Sequence, residues 1–162
     1  MSILHAQFAA NKQNPDGTSA SVPPDEVLRR SGPCVDVIVT LDKAMAEALL
    51  QSGQTVPPPV AGKALIDTGA SSSCIDESIA RGMRLPAIDV VKIASATHTA
   101  QPRSVYPVQI EISGVGLAIA APRAIGVELQ SLGFVAIVGR DVLRNCTLFY
   151  NGIAGQITLS SN

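Results

Sequence analysis

The stretch ALIDTGASSSC, residues 64–74, decides how this sequence is interpreted. Its apolar start predicts a buried strand, and that strand delivers Asp67 into the turn-forming tripeptide Asp67, Thr68, Gly69. In one interpretation the tripeptide is an ordinary turn, in which Asp accepts local backbone hydrogen bonds and Gly provides a permissive dihedral angle. In the other, the strand presents a carboxylate that does chemistry. The second interpretation needs support from elsewhere in the chain.

A second stretch, FVAIVGRDVL at residues 134–143, supplies that support. It is another apolar strand, which ends in Gly139 and continues into a helix-like segment. Together the two stretches resemble the retroviral-type aspartic proteases, the retropepsins, and most of all their stand-alone cellular and bacterial members. The resemblance covers residues 33–159 in layout, and its specific part is the two stretches. It implies a small closed barrel and the hydrolysis of peptide bonds.

The resemblance also implies a role for individual residues. The Thr68 hydroxyl is expected to lock two active-site loops together, and the backbone after Gly69 is expected to pair with an extended peptide. The polar stretch at residues 94–104 is the expected flap, by its place in the chain. The expected roles are catalysis for Asp67, Thr68 and Gly69; substrate binding for Ala70, Ser71, Val135 and Ile137; flap formation for Ala96, Thr97, His98 and Thr99; and structural support for Gly139, Arg140 and Asp141. The three apolar substrate-binding residues could equally be ordinary core.

Peptide hydrolysis by carboxylates needs two of them facing one water, one ionised to take a proton and one protonated to polarise the scissile carbonyl. The chain has a single Asp-Thr-Gly. Either an identical subunit supplies the second carboxylate, so that two Asp67 side chains share one proton on a two-fold axis, or the chain is not such an enzyme. The resemblance implies the homodimer. The alternative is a non-catalytic module that binds peptides or dimerises.

Two departures from the viral pattern bear on this interpretation. Ser71 stands where the viral enzymes usually carry an acidic residue, which pairs with the arginine matching Arg140. We therefore expect Arg140 to find another acceptor, either Asp76 or Asp141, or to face solvent. The flap stretch is polar and not glycine-rich, so we expect it to close differently, with His98 either solvated or titrating near neutral pH.

Composition excludes several other classes of function. A net charge of −1 without a basic cluster disfavours nucleic acid and anionic membranes as partners, and 3% aromatic residues leave few platforms for stacking bases. His5 and His98 lie far apart and the three cysteines are not closely paired, so we expect free thiols, no metal and no cofactor. The first residues lack a secretory signal pattern and every long apolar run is interrupted, which favours a cytoplasmic protein.

The length of 162 residues fits one domain. We expect residues 1–32 to be a partly flexible arm or linker, because residues 11–24 are polar and rich in turn formers. Residues 33–162 are the expected protease domain. Strand patterns dominate this domain, so the expected fold is all-β, a small closed barrel with two or three short helices.

Several elements are predicted in detail. Alternating apolar residues at 35–41 predict a strand with one buried face. Asp42 predicts the start of a short helix, which together with a proline-rich connector forms an insertion between two paired strands. Residues 108–121 predict a hairpin, and Asn151 with Gly152 predicts a final hairpin with a type I′ turn.

Overall fold

The computed structural model describes residues 2–95 and 98–161. Strands make up most of its regular structure, and none of the helices in these residues is long and apolar enough to cross a membrane. The strands are β1 (Ile3–Gln7), β2 (Ala10–Gln13), β3 (Ser19–Val22), β4 (Cys34–Leu41), β5 (Val60–Ile66), β6 (Cys74–Asp76), β7 (Asp89–Ser95), β8 (His98–Ile112), β9 (Leu117–Val127), β10 (Ala136–Val138), β11 (Cys146–Asn151) and β12 (Gln156–Ser161). The helices are α1 (Pro24–Ser31), α2 (Lys43–Gln51), α3 (Glu77–Gly82) and α4 (Arg140–Leu143), with a 3-10 turn at Gln130–Leu132.

Six strands close into a barrel. Their order is β4, β5, β10, β6, β9, β8, and β8 returns to pair with β4. The expectation of a mostly β fold with a closed barrel is confirmed. The described residues contain four short α-helices, where two or three were expected. The shortest, α4, forms in the stretch after Gly139 that is helix-like in the sequence, and a 2.9 Å bond from the Leu143 N–H to the Gly139 carbonyl closes its turn.

Strand β4 shows why these residues form a barrel wall. Val35, Val37, Val39 and Leu41 are buried, as the period-two pattern predicts, and the residues between them face outward or are half-buried. Val, Ile, Leu and Ala from the other barrel strands fill the same core. Each large side chain of this kind contributes about 1.5–3 kcal/mol when it is fully buried. Aliphatic side chains therefore hold the barrel closed with little help from aromatic residues.

The short strand β10 positions the stretch that contains Asp67. It lies between β5 and β6, parallel to β5 and antiparallel to β6. Strands β5 and β6 follow one another in the sequence and are joined by the loop 67–73, which we call the Asp67 loop. Because β10 separates the two strands that flank this loop, the loop must cross the end of β10, where Gly139 begins the next turn.

The segment between β4 and β5 is an insertion, as expected. The two strands remain paired across it, with Val39 opposite Val60. The carboxylate of Asp42 accepts from the N–H groups of Ala44 at 3.0 Å and Met45 at 3.4 Å. These bonds satisfy donors at the start of α2 that have no partner within the helix.

The first 32 residues contribute more to the fold than the expected arm. Strand β1 joins β12 and β11 in a three-stranded antiparallel sheet, which we call the terminal sheet. Leu4 lies opposite Leu159 in this sheet, and α1 buries Leu28 in the core. The apolar residues in this region are few, but they recur at strand and helix spacing. Within the region, the polar hairpin of β2 and β3 is almost fully exposed.

The last hairpin is confirmed, but the predicted turn type is wrong. Asn151 pairs with Gln156, which leaves a four-residue loop at 152–155. The positive φ angle falls on Gly155, at 60°, and not on Gly152. A Cβ on Gly155 would collide with the backbone of Pro24. The loop therefore packs closely against the start of α1, a contact that the local sequence does not reveal.

Candidate active site

Asp67 lies where β5 ends and the Asp67 loop begins. Its backbone N–H donates to the Val138 carbonyl oxygen at 2.9 Å, so β10 fixes its position. Its carboxylate oxygen Oδ1 accepts one hydrogen bond, 2.8 Å long, from the backbone N–H of Gly69. Asp67 is partly exposed. One carboxylate oxygen is thus engaged locally, and the other accepts no hydrogen bond from the described residues.

Gly69 allows the backbone to approach this carboxylate closely. A Cβ at position 69 would lie 3.0 Å from Asp67 Oδ1, which is tighter than nearly all real contacts of this kind. The N–H of Gly69 reaches the carboxylate because no side chain intervenes. The sharp turn expected from the sequence therefore serves to place a backbone donor on Asp67.

The turn at Gly139 packs directly against the Asp67 loop. A Cβ on Gly139 would lie 2.6 Å from the carbonyl carbon of Ser72. The buried Ser73 hydroxyl accepts from the Gly139 N–H at 3.0 Å and donates to Asp141 Oδ1 at 2.8 Å. The same oxygen of Asp141 accepts from the Ser73 N–H at 2.9 Å. The two decisive stretches of sequence thus form one hydrogen-bonded unit.

Arg140 binds the backbone of the same loop. Its Nη1 donates to the carbonyl oxygens of Thr68 at 2.7 Å and Gly69 at 2.8 Å. Within the described residues neither Asp76 nor Asp141 is its partner, so both of the expected acceptors are wrong. Arg140 is nevertheless exposed, which is the other alternative that the sequence left open. Asp141 instead holds Ser73, and Asp76 binds backbone N–H groups. Two carbonyl oxygens take the place of an acidic residue because the planar guanidinium can donate to both together.

The predicted substrate-binding residues do not form one cluster in a single chain. Ala70 and the exposed Ser71 belong to the Asp67 loop, and Ile137 lies half-buried in β10. Val135 packs against Gly62, five positions before Asp67 in β5. At about 3.3 Å per residue this is roughly 16 Å along the strand from Asp67. The loop residues are therefore the ones placed beside the carboxylate.

The expected flap coincides with the hairpin of β7 and β8. Ser95 pairs with His98, and His98 and Thr99 begin β8. Ala96 and Thr97 lie outside the described residues. The pairing of β7 with β8 agrees with the hairpin expected from the sequence, and its action over a substrate stays a prediction.

Cys74 follows the Asp67 loop but is unsuited to be a nucleophile. Burial, with further contributions from the carboxylates of Asp141 and Asp67, raises the pKa of its thiol to about 11. Such a thiol is protonated at neutral pH, whereas the thiolate is the reactive form. The three cysteines are free, as expected. In residues 2–95 and 98–161, no three His, Cys, Asp or Glu side chains are grouped to hold a metal ion.

Sequence reasoning misses the importance of two residues near the site. Ser73 is one of three consecutive serines, and the sequence does not tell which of them is buried. Asp76 is predictable as the start of α3, but its other oxygen also accepts from the N–H groups of Leu129 and Gln130, each at 2.8 Å. A polar residue next to an apolar strand indicates a buried polar group, which needs a hydrogen-bond partner. Only the fold shows which groups are the hydrogen-bond partners of Ser73 and Asp76.

A scan against protein-family models finds no match for this chain, and a search of curated proteins finds none either. The resemblance to the retropepsins therefore stays a prediction. The site presents one partly exposed carboxylate on a hydrogen-bonded loop, with Thr68, Gly69 and Ser71 exposed around it. A carboxylate placed in this way can take a proton from a water or return one.

Proposed function

We propose that this protein is an aspartic endopeptidase of the retropepsin type, active as a homodimer with one Asp67 from each chain. The observation that carries the proposal is the joining of the two stretches that suggested it. The Asp67 loop is held against the Gly139 turn through Ser73 and Asp141. With this support, one oxygen of the Asp67 carboxylate accepts no hydrogen bond from residues 2–95 and 98–161. A loop held by other groups can present a carboxylate for chemistry.

The proposed reaction uses the two carboxylates as acid and base. Two such groups about 3 Å apart hold one proton between them, because like charges at that distance do not both form easily. The ionised carboxylate takes a proton from a water, whose oxygen bonds to the scissile carbonyl carbon. The protonated carboxyl polarises the carbonyl oxygen. When the carbon–nitrogen bond breaks, a proton passes to the leaving nitrogen, and the pair returns to its single shared proton.

The second chain is needed because one chain supplies one carboxylate of this kind. Thr68 and Gly69, next to Asp67, are exposed in the isolated chain. Their carbonyl oxygens are already bonded to Arg140, so the loop keeps its shape without a partner. These features support a loop that is formed in each chain and completed when two chains meet.

The proposed substrate is an extended peptide. An extended peptide can pair with backbone groups of the Asp67 loop as an added strand, with its side chains pointing alternately to either side. The projecting hairpin of β7 and β8 is the element proposed to cover it. Ala70, in the loop, and the half-buried Ile137, in β10, are the apolar residues proposed to meet substrate side chains.

The test is cleavage of a peptide library at roughly pH 4 to 7, where a shared proton is retained. Asp67→Asn should lower cleavage by about 10²–10⁴-fold, because the base of the pair is lost. Asp36→Asn is the matched control, since Asp36 is 71% exposed and pairs with Lys63 on the barrel surface. Equal cleavage by the Asp67→Asn variant would end the proposal. A dimer that binds peptides without cutting them would favour a non-catalytic module.

A further inference from the structure

We infer that the groove between the ends of α2 and α3 binds an acidic, extended segment of another protein, and that Arg84 holds a carboxylate of this segment. The inference goes beyond the proposed function and does not depend on it. Three observations carry it: the shape of the groove, the backbone conformation of Arg84, and the lack of a carboxylate among the described residues that line the groove.

The groove has two walls. One wall is the end of α2 with the connector that leads to β5, and the other is the end of α3 with the residues up to Pro86. Its volume of about 780 Å³ is typical of ligand sites in proteins. The connector enters β5 at Val60, whereas Asp67 follows the other end of this strand, about 20 Å away. The groove is therefore separate from the proposed cleavage site.

The connector gives the groove a wall suited to an extended peptide. Val56, Pro57 and Pro58 each precede a proline, which keeps their backbone extended. Residues 54–58 line the groove and span roughly 15 Å at about 3.1 Å per residue. None of their carbonyl oxygens accepts a hydrogen bond from the described residues. These oxygens can therefore accept from the N–H groups of a peptide that lies along the wall.

Arg84 stands at a position that favours glycine. Its φ angle is 52°, and among the described residues it is the one residue other than glycine with a positive φ. Helix α2 ends in the same way at Gly53, where φ is 73°. In both helices the next N–H donates to a carbonyl oxygen five positions earlier, at 2.9 Å. Helix α3 thus carries an arginine where glycine fits with less strain, and such a residue points to a use for its side chain.

The side chain of Arg84 belongs to the groove and not to the core. Met83 and Leu85 are buried, whereas Arg84 between them is exposed and lines the groove. The last carbonyl oxygens of both helices accept backbone N–H groups. Backbone groups therefore satisfy these helix ends, and the guanidinium is not required to do so.

The charge of the groove complements an acidic ligand. Its lining contains no Asp or Glu among the described residues. The acidic residues of the two helices, Glu47 and Glu77, pair with Lys43 and Arg81 of their own helices. In the part of the chain that the structure describes, Arg84 forms no ion pair. A guanidinium in this position can bind a carboxylate through two parallel hydrogen bonds. The prolines beside it offer apolar contact to neighbouring side chains of the ligand.

The test is fluorescence anisotropy with a labelled peptide of valine and proline around a central glutamate. Its counterpart carries glutamine in place of glutamate. The Asp67→Asn protein is used, so that binding is measured without any cleavage. The glutamate peptide should bind at least about tenfold more tightly than its counterpart, because only it provides a charged hydrogen-bond acceptor. The difference should shrink as salt is added, since the groove is open to solvent.

Two substitutions at Arg84 separate binding from folding. Arg84→Gln removes the charge and should weaken binding of the glutamate peptide about tenfold. Arg84→Gly should weaken it as much, while the midpoint of urea unfolding should not fall, because glycine adopts this backbone conformation easily. Arg81→Gln is the matched control. It removes the same charge from the same helix, lies outside the described lining of the groove, and should leave binding nearly unchanged.

Hydrogen exchange locates the bound peptide. Amides of residues 53–56 and 83–85 should exchange more slowly when the glutamate peptide is added. The inference is overturned if these amides are not protected, if the two peptides bind equally, or if Arg81→Gln weakens binding as much as Arg84→Gln. It is also overturned if free glutamate displaces the peptide as well as the unlabelled peptide does, since the groove then binds a small anion. Cleavage is measured separately through Asp67, so none of these results decides the proposed function.

Discussion

Asp67 is the first residue after β5, and Asp76 is the last residue of β6. The two aspartates are nine residues apart in the sequence, yet their carboxylates have different hydrogen-bond partners. Asp67 is partly exposed and accepts one hydrogen bond from the described residues, given by Gly69. Asp76 is 2% exposed and accepts from the N–H groups of Ile79, Leu129 and Gln130 and from both the N–H and the hydroxyl of Ser78.

The difference shows which carboxylate is committed to the fold and which is partly exposed. Asp76 is a structural clamp between α3 and the segment that precedes β10, and its oxygens are occupied. The Asp67 loop is held by Ser73, Gly139, Asp141 and Arg140, so Asp67 itself is not needed to hold it. The comparison therefore predicts that stability depends on Asp76 and on the loop's support, while activity depends on Asp67.

The largest expected effect on stability is that of Asp76→Asn. The amide has one oxygen and adds donors where backbone N–H groups already point, so several buried donors lose an ionised acceptor. We expect the free energy of unfolding to fall by about 3 kcal/mol or more, since bonds to charged groups contribute about 1.5–3 kcal/mol each. Urea unfolding measures this. Asp67→Asn is the matched control and should change stability by less than about 1 kcal/mol. Similar losses in both variants would contradict the conclusion that Asp76 supports the fold and Asp67 does not.

The next effect is that of Gly139→Ala. The new Cβ would lie 2.6 Å from the Ser72 carbonyl carbon, so the Asp67 loop must shift, which costs about 1–3 kcal/mol. Thermal or urea unfolding checks this value, and peptide cleavage should fall with it. Gly82→Ala is the control, because a Cβ at the end of α3 meets nothing within 4 Å. That change should be neutral or slightly stabilising. Equal effects at both glycines would show that the loop is not held at Gly139.

Ser73→Ala should have a somewhat smaller effect. It removes the buried hydroxyl between the Gly139 N–H and Asp141, and it leaves that N–H without its acceptor. We expect a loss of about 1–2 kcal/mol in the free energy of unfolding, measured with urea. The exposed Ser71, in the same loop, provides the control, and Ser71→Ala should stay within about 0.5 kcal/mol. If the two serines behave alike, Ser73 does not support the loop.

The smallest effect is on the pH dependence of stability. Burial alone would raise the pKa of Asp76, but the bonds from Ser78, Leu129, Gln130 and Ile79 outweigh it and lower the pKa. A lowered folded-state pKa gives stability that is present above the unfolded value of about 3.9 and is lost as pH falls through the folded value. The protein should therefore lose stability below about pH 4, and Asp76→Asn should show a flatter decline.

Glu26 provides the control for this acid window. The hydrogen bond from Arg29 lowers the pKa of Glu26 to about 2, but the group is on the surface, where solvent screens such pairs. Glu26→Gln should therefore leave the slope of stability against pH nearly unchanged. Unfolding midpoints measured in urea from about pH 2 to 6 compare the three proteins. A slope that follows Glu26 instead of Asp76 would contradict the clamp assigned to Asp76.

Much of this arrangement is readable from local sequence. The alternation at residues 35–41 predicts β4, Asp42 predicts the start of α2, and residues 108–121 predict the hairpin of β8 and β9. These predictions hold because side-chain period and capping depend on residues close together in the chain. The turn type predicted after Asn151 is wrong, and there the loop packs against Pro24, a residue far away in the chain.

The sequence by itself determined a β-rich chain with one Asp-Thr-Gly after a buried strand and a glycine turn after another. Only the tertiary structure decided that the two come together, that Ser73 and not its neighbours is buried, and that Arg140 binds carbonyl oxygens in place of a carboxylate. The physical reason is that strand pairing and hydrogen-bond choice between distant residues depend on which groups the closed barrel brings into reach. The same reason separates Asp76, whose two oxygens accept several hydrogen bonds, from Asp67, which accepts one from the described residues.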